Sequence, residues 1–319
     1  MSNTCTLPSF QTQFKVTVIG AGNVGATAVY AMLMDGTPTE VVLIDRDKAK
    51  AEGLVLDMEH SMAFFNATKV VGTDDYAYAK NSHLVVITAG ARQKEGETRL
   101  DLIAKNRAIM KDIVPKIMKV SPKAIILVVS NPVDVLTYEV YKLSKLPWGR
   151  VFGSGTMLDT ARLRFHLGEA LCLSPKSVEA FILGEHGDTS FPVWSSANVA
   201  GKSLSKFEGF SKGMANQAYK DTREAAYRII HDVGYTCYSI GTVIKELMVH
   251  IFQHSRIVLP LSVPLEKGND YYGVSGIALS VPCILDSSGV NGIVKIPLDF
   301  KEKRALKKSA DTLKSTLKR

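Results

Sequence analysis

The sequence predicts an α/β protein in which a doubly wound parallel sheet is followed by a mixed α+β unit. Three observations support this class. In the first half of the 319 residues, short apolar runs rich in β-branched residues alternate with longer helical patterns. Several of these runs are apolar at every position, which is typical of strands covered on both faces. After about Gly153 the alternation stops, and longer helices and β-rich runs follow.

The predicted strands of the first half cover 14–20, 41–45, 69–71, 84–88 and 125–130, and the helices between them cover 23–34, 47–61, 100–120 and 132–146. This βαβ order predicts parallel pairing with right-handed crossovers. Residues 16–34 carry no charge, but three glycines and the polar lead-in 2–13 favour a buried strand and helix over a membrane span. We therefore expect no membrane association.

The second half begins with a predicted helix over 158–171 and a strand over 178–183. A long helical region follows over 211–253, and then β-rich runs over 276–285 and 290–298. The last apolar side chains, Leu306, Ala310, Leu313 and Leu317, recur at helical spacing and predict an amphipathic helix. We place the domain boundary so that 1–152 and 153–319 form two domains.

Composition and charge narrow the function classes. The chain is 46% hydrophobic and 22% charged, which excludes a disordered or collagen-like protein. Its four cysteines form no CxxC pair, so we expect reduced thiols in the cytoplasm and no metal site. The net charge of +8 lies mostly in 301–319, where eight Lys or Arg oppose two Asp or Glu. Nucleic-acid binding through this basic end stays open as an alternative, although a solvated helix face is the simpler interpretation.

The strongest local motif follows the first strand. Gly20, Gly22 and Gly25 form G-x-G-x-x-G between an apolar strand and a helix, whose N-terminus is suited to a pyrophosphate. Asp45 ends the next strand, twenty positions after Gly25. Its carboxylate is suited to both ribose hydroxyls and repels a 2′-phosphate. The first domain is therefore predicted to be a Rossmann domain that binds NAD.

Polar residues elsewhere indicate the chemistry. A polar loop with glycine hinges, 89–99, follows one sheet strand, and Asn131 follows another. Asp159 and Arg162 lie on one face of a predicted helix, and His186 lies in a glycine-flanked turn after a strand. Singly, each has a structural explanation, such as a helix-start acid or a structural histidine. Together with a dinucleotide site, one His, one Asp and two Arg fit hydride exchange with a 2-hydroxy or 2-oxo acid.

Over essentially its whole length the sequence resembles the lactate/malate dehydrogenase family. The matching segments are 20–25, 87–93, 96–100, 130–132, 158–162 and 184–188. The resemblance implies reversible hydride transfer between NADH and pyruvate, as in glycolysis and fermentation. It also implies a cytoplasmic homotetramer.

The resemblance assigns roles to individual residues. His186 gives a proton to the carbonyl oxygen, and Asp159 holds its imidazole. Arg162 grips the substrate carboxylate and Arg99 polarises the carbonyl. Substrate binding also involves Gln93, Asn131 and Thr236. The expected cofactor contacts are Gly20, Gly22, Asn23, Val24, Gly25, Asp45, Thr88, Ala89, Gly90, Asn106, Val129 and Asn131.

One position in this resemblance separates two substrates. Malate dehydrogenases have an arginine where this chain has Gln93, so the second carboxylate of oxaloacetate would stay unpaired in a desolvated pocket. Pyruvate is therefore expected, and a malate or broader L-2-hydroxyacid dehydrogenase is the alternative. Thr236 has a modest size that fits a small substrate. Glu179 replaces the histidine that pairs with Arg164 in members activated by fructose 1,6-bisphosphate, so we expect no strong activation.

Overall fold

The computed structural model describes residues 13–66, 68–91 and 99–317, with the backbone alone for Arg99. The first part of the chain contains β1 (Lys15–Ile19), α1 (Asn23–Asp35), β2 (Glu40–Ile44), α2 (Lys48–Glu59), β3 (Lys69–Thr73), β4 (Leu84–Ile87), α3 (Arg99–Val120), β5 (Ile125–Val128), α4 (Val133–Ser144) and β6 (Val151–Gly153). The second part contains α5 (Met157–Leu171), β7 (Val178–Glu179), β8 (Ile182–Leu183), β9 (Phe191–Pro192), β10 (Asn198–Val199), β11 (Lys202–Ser203), α6 (Lys212–Val233), α7 (Tyr238–Phe252), β12 (Ile257–Leu265), β13 (Ile277–Asp286), β14 (Gly289–Ile293) and α8 (Phe300–Leu317).

The first six strands pair in parallel in the order β3-β2-β1-β4-β5-β6, which confirms the predicted doubly wound sheet. The strand order reverses between β1 and β4, where Ile19 lies opposite Ile87. In open α/β sheets, ligands bind outside the carboxyl ends of the strands at this reversal. Gly20 and Thr88, the next residues of each strand, therefore lie at the expected ligand crevice.

Both faces of the parallel sheet are buried. Along β4, Leu84 and Val86 belong to one core cluster with residues of α1, α2 and α7, while Val85 and Ile87 belong to a second cluster with residues of α3 and α4. All four side chains are fully buried. Because alternate residues of a strand point to opposite faces, burial of both faces explains why these runs are apolar at every position.

The uncharged segment 16–34 forms most of β1 and α1, as predicted. Met32 and Leu33 of α1 are fully buried against the sheet. Across the part of the chain that the structure describes, none of the helices combines the length and apolarity that a bilayer crossing requires.

The second half extends the same sheet. β13 pairs antiparallel with β12 on one side and with β14 on the other, and Ser262 of β12 pairs with Gly153 of β6. The sequence analysis missed β12, whose apolar run contains Pro260 and Pro264. Proline within a run normally argues against a paired strand. Here Pro260 lies opposite Pro282 of β13.

Three predicted elements of this half differ from the structure. The helical region 211–253 is helical as predicted but is divided into two helices, because Gly234 adopts a left-handed conformation, with φ of 87°, and ends α6 before α7 begins. The strand predicted over 178–183 is two short strands in different sheets, since β7 pairs with β10 and β8 with β9. The last predicted strand ends at Ile293 rather than at 298.

The C-terminal helix α8 is amphipathic, as its spacing predicts. Leu306, Ala310 and Leu313 are 1%, 2% and 3% exposed. Lys301, Lys303 and most other basic residues of α8 are exposed. Within α8 six basic residues oppose Glu302 and Asp311, so this helix carries half of the chain's net charge of +8.

Candidate active site

The turn between β1 and α1 has no space for a side chain at two of its three motif glycines. Gly20 has φ of 109°, and a Cβ there would lie 2.6 Å from the Ala89 nitrogen. A Cβ on Gly25 would lie 1.9 Å from the Gly20 carbonyl oxygen. On Gly22 it would meet no described atom within 4 Å. Packing thus explains Gly20 and Gly25, whereas Gly22, directly before α1, leaves the helix N-terminus accessible to a pyrophosphate.

Asp45 follows β2 and reaches back to this glycine turn. Its Oδ2 accepts a hydrogen bond from the Ala21 nitrogen at 2.6 Å, and its Oδ1 accepts one from the Asp47 nitrogen at 3.0 Å. These two bonds fix the carboxylate beside the turn. A carboxylate keeps further lone pairs for hydroxyl donors, so the arrangement fits a ribose diol.

Thr88 and Asn106 hold the loops that follow β4 and β5. The Thr88 hydroxyl lies 2.9 Å from the Gly20 carbonyl oxygen, to which it donates. Asn106 is 1% exposed, accepts from the Ala91 nitrogen at 2.7 Å and donates to the Asn131 carbonyl oxygen at 2.7 Å. These contacts fix the edges of the crevice. The other predicted cofactor residues flank them: Asn23 and Val24 open α1, Ala89 and Gly90 follow β4, and Val129 follows β5.

His186 lies in the turn after β8, against the first turn of α5. Its Nδ1 is 2.6 Å from Asp159 Oδ2, and Arg162 donates from Nη1 to Asp159 Oδ1 at 3.3 Å. Asp159 and Arg162 are adjacent because they are one helical turn apart. The structure therefore brings together three of the four residues that the sequence predicts to be catalytic.

The contact between His186 and Asp159 shifts the pKa of both side chains. Burial opposes a charge on His186, but the charge and hydrogen bond of Asp159, with a smaller effect of Asp134, raise the pKa of His186 to about 9. Burial also opposes a charge on Asp159, yet His186 and then Arg162 hold the pKa of Asp159 below its usual value. At neutral pH the pair is thus an imidazolium and a carboxylate. Since Nδ1 contacts Asp159, Nε2 is the nitrogen left to exchange a proton.

Sequence reasoning missed a second carboxylate in this site, Asp134 of α4. It is 2% exposed, and its Oδ2 accepts from the His186 backbone nitrogen at 2.7 Å. Its Oδ1 accepts from the Ser262 hydroxyl at 2.6 Å. Burial raises the pKa of Asp134 to about 6, although both hydrogen bonds oppose that effect. The sequence did contain a signal for this buried carboxylate, because Asp134 is an acidic residue within the apolar run 133–136.

Three predicted substrate residues are not placed in the site by side-chain contacts. Gln93 lies outside the described residues. Arg99 begins α3, and its side chain also lies outside the description. Thr236 is half-buried in the connection between α6 and α7, both of which pack against the helix that carries Asp159. The roles of Gln93, Arg99 and Thr236 remain predictions.

Comparison with known families matches both parts of the chain. Residues 14–153 match the lactate/malate dehydrogenase NAD binding domain. Residues 156–319 match the lactate/malate dehydrogenase alpha/beta C-terminal domain. Together the two matches span nearly the whole sequence and include every described site residue.

Individual relatives agree with these matches. An L-lactate dehydrogenase of Clostridium botulinum is 42% identical over 308 residues, covering 95% of this chain and 96% of its own length. The L-lactate dehydrogenase B-B chain of Danio rerio is 45% identical over 305 residues, which cover 94% and 90%. Among solved structures, a lactate dehydrogenase enzyme from a Medee basin deep-sea metagenome library superposes with a TM-score of 0.91 at 41% identity, covering 96% of this chain and 98% of that one. The minor L-lactate dehydrogenase of Enterococcus mundtii, in a ligand-bound form, gives 0.92 at 37% identity, with 97% and 98% coverage.

Proposed function

Because the chain belongs to the lactate/malate dehydrogenase family, it is an NAD-dependent oxidoreductase, and we propose that it interconverts pyruvate and L-lactate with His186 as the proton donor and acceptor. The observation that carries this proposal is the 2.6 Å contact between His186 Nδ1 and Asp159 Oδ2. It keeps a protonated imidazole available at neutral pH, which reduction of a carbonyl requires.

The proposed mechanism assigns a separate role to each of four side chains. NADH, when bound, supplies the hydride for the carbonyl carbon. His186 donates its Nε2 proton to the carbonyl oxygen, and takes a proton back when lactate is oxidised. Asp159 orients the imidazole through Nδ1 and stabilises its charged form. Arg162 binds the substrate carboxylate with the N–H groups that its 3.3 Å contact to Asp159 leaves available, and Arg99 stabilises charge on the carbonyl oxygen.

A direct test measures NADH oxidation with pyruvate, oxaloacetate and a branched 2-oxo acid. Pyruvate is expected to give the highest kcat/KM. His186→Ala is expected to lose at least about a hundredfold in kcat while NADH fluorescence still reports binding, because the cofactor residues lie elsewhere. A preference for oxaloacetate would favour the malate alternative, and full activity of His186→Ala would refute the proposed proton donor.

Substrate choice is proposed to depend on Gln93. Gln93→Arg supplies a cation for a second carboxylate, so the ratio of kcat/KM for oxaloacetate to that for pyruvate is expected to rise by about a hundredfold. Gln93→Lys serves as a charged control without the planar fork, and a smaller rise is expected from it. An unchanged ratio in both variants would remove Gln93 from the specificity of the enzyme.

We further propose that 1–152 forms the cofactor domain and 153–319 the substrate domain of a cytoplasmic homotetramer. The exposed side chains of Tyr30, Met34 and Tyr238 support self-association, because all three line one groove between α1, α2 and α7. Light scattering at micromolar concentration tests this, and a monomer mass would contradict it. Cys172, Cys237 and Cys283 form no disulfide within the described part of the chain, which supports a reducing compartment.

We propose that fructose 1,6-bisphosphate does not strongly activate the enzyme. The Arg164 side chain donates from Nε to the Ala180 carbonyl oxygen at 3.0 Å and lies 5.4 Å from the Phe181 ring centroid. Glu179, the residue expected to repel a phosphate, is exposed in β7. Adding the sugar bisphosphate to the pyruvate assay is expected to give no strong rise in kcat/KM.

A further inference from the structure

Three consecutive backbone N–H groups of the His186 turn are held by three different elements. The Gly184 nitrogen donates to a β13 carbonyl at 3.0 Å. The Glu185 nitrogen donates to the Ser309 hydroxyl of α8 at 2.6 Å. The His186 nitrogen donates to Asp134 of α4 at 2.7 Å. The backbone that carries the imidazole is therefore fixed from several directions at once.

Ser309 provides the contact from α8, and its hydroxyl closes the turn at both ends. The side chain is fully buried. While accepting from the Glu185 nitrogen, the hydroxyl donates to the Thr189 carbonyl oxygen at 3.2 Å, and it lies 3.0 Å from Thr189 Oγ1. The Thr189 hydroxyl in turn donates to the Glu185 carboxylate. A Cβ on Gly184 would lie only 2.7 Å from Ser309 Oγ, which shows how closely helix and turn pack.

We propose that Ser309 is a positioning residue for proton transfer: its buried hydroxyl fixes the backbone on both sides of His186 and so keeps the imidazole against Asp159. This inference rests on the proposed role of His186. A hydroxyl is needed because the group must accept from one backbone N–H and donate to one carbonyl. A methyl group would leave a buried N–H without an acceptor, and the turn would relax to find one.

Because Ser309 carries no charge, replacing it does not directly alter the electrostatic environment of His186. The charged groups that act on His186 are Asp159 and Arg162 from α5 and Asp134 from α4. Ser309→Ala changes none of them. Any change in the ionisation of His186 in that variant must therefore come from a change in the position of the imidazole, either relative to these charges or in its burial.

The first experiment compares Ser309→Ala with Ser315→Ala in the full chain. Ser315 lies on the same helix but is exposed, and its hydroxyl bonds only to the Thr312 carbonyl oxygen at 2.7 Å among the described atoms. Ser309→Ala is expected to lower kcat for pyruvate about tenfold and to move the high-pH midpoint of kcat/KM down by about one unit. NADH fluorescence titration is expected to be unchanged, and Ser315→Ala is expected to behave as the parent enzyme.

A second variant keeps the inference testable if Ser309→Ala does not fold. Ser309→Cys has nearly the same volume but replaces the hydroxyl with a weak donor and weak acceptor. It is expected to lower kcat and the pH midpoint in the same direction as Ser309→Ala, by a smaller amount. An unmoved midpoint and unchanged kcat per folded site in Ser309→Ala, or in Ser309→Cys where Ser309→Ala does not fold, would overturn the inference, even if the melting temperature fell. Failure of the parent enzyme to reduce pyruvate would instead overturn the proposed function.

Discussion

Replacing Asp159 with Asn tests the electrostatic basis of the site. The side chain keeps its shape and its oxygen can still accept from Nδ1, but the charge is lost. The rise in the pKa of His186 from 6.5 to about 9 corresponds to about 3 kcal/mol of preference for the charged imidazole. Burial alone would lower that pKa, so in Asp159→Asn it is expected to fall to 6.5 or below. At pH 7 the protonated fraction then drops from nearly all to about a quarter or less.

The assay is the pH dependence of kcat/KM in both directions. For pyruvate reduction, which needs the protonated imidazole, the high-pH midpoint is expected to move from near 9 to 6.5 or below in Asp159→Asn. For lactate oxidation, which needs the neutral imidazole, the low-pH midpoint is expected to move in the same direction. Asp159→Glu keeps the charge and serves as the control, with a midpoint above that of the Asn variant. A midpoint that stays near 9 in Asp159→Asn would refute the reasoning.

The remaining predictions concern substrate binding, cofactor choice and stability. Arg162→Lys is expected to raise KM for pyruvate about a hundredfold with a smaller change in kcat, since one donor replaces a planar fork; steady-state kinetics check this. Asp45→Asn is expected to narrow the preference for NADH over NADPH about tenfold, measured as a ratio of kcat/KM values, because the carboxylate no longer repels a 2′-phosphate. The free energy of unfolding is expected to fall by about 3 kcal/mol as pH rises from 6.5 to about 9, because the pKa of His186 is higher in the folded state than in the unfolded chain; denaturant titration of Asp159→Asn is expected to show a flatter profile.

Local motifs made the cofactor half predictable. The glycine turn, the apolar strands and the helix starts depend on residues close together in sequence, and the structure confirms the parallel order that they predict. The family matches confirm the predicted dehydrogenase class. The shared helix face of Asp159 and Arg162 was predicted from their spacing, whereas the contact of His186 with Asp159 was predicted only through the family resemblance.

Long-range contacts account for what the sequence analysis missed. Asp134 and Ser309 contact the His186 turn from helices far away in the chain, and neither position belongs to a recognisable motif. β12 was missed because its two prolines oppose strand formation locally, while the pairing partner that stabilises it, β13, comes later in the chain. Buried polar side chains of this kind acquire a role only from the partners that folding brings to them.

The charges around Asp159 support the proposal that one neutral residue, Gln93, matters more for substrate choice than the net charge of +8. At neutral pH, His186, Arg162 and Arg99 bring three positive charges against the carboxylates of Asp159 and Asp134, so the proposed site carries one positive charge. One positive charge balances the single carboxylate of pyruvate. Oxaloacetate brings a second carboxylate, to which Gln93 in its proposed role supplies no counter-charge, and an unpaired anion in a desolvated site costs several kcal/mol. The lysines of α8 lie on an exposed helix face, where water and salt screen them, so they cannot provide that balance.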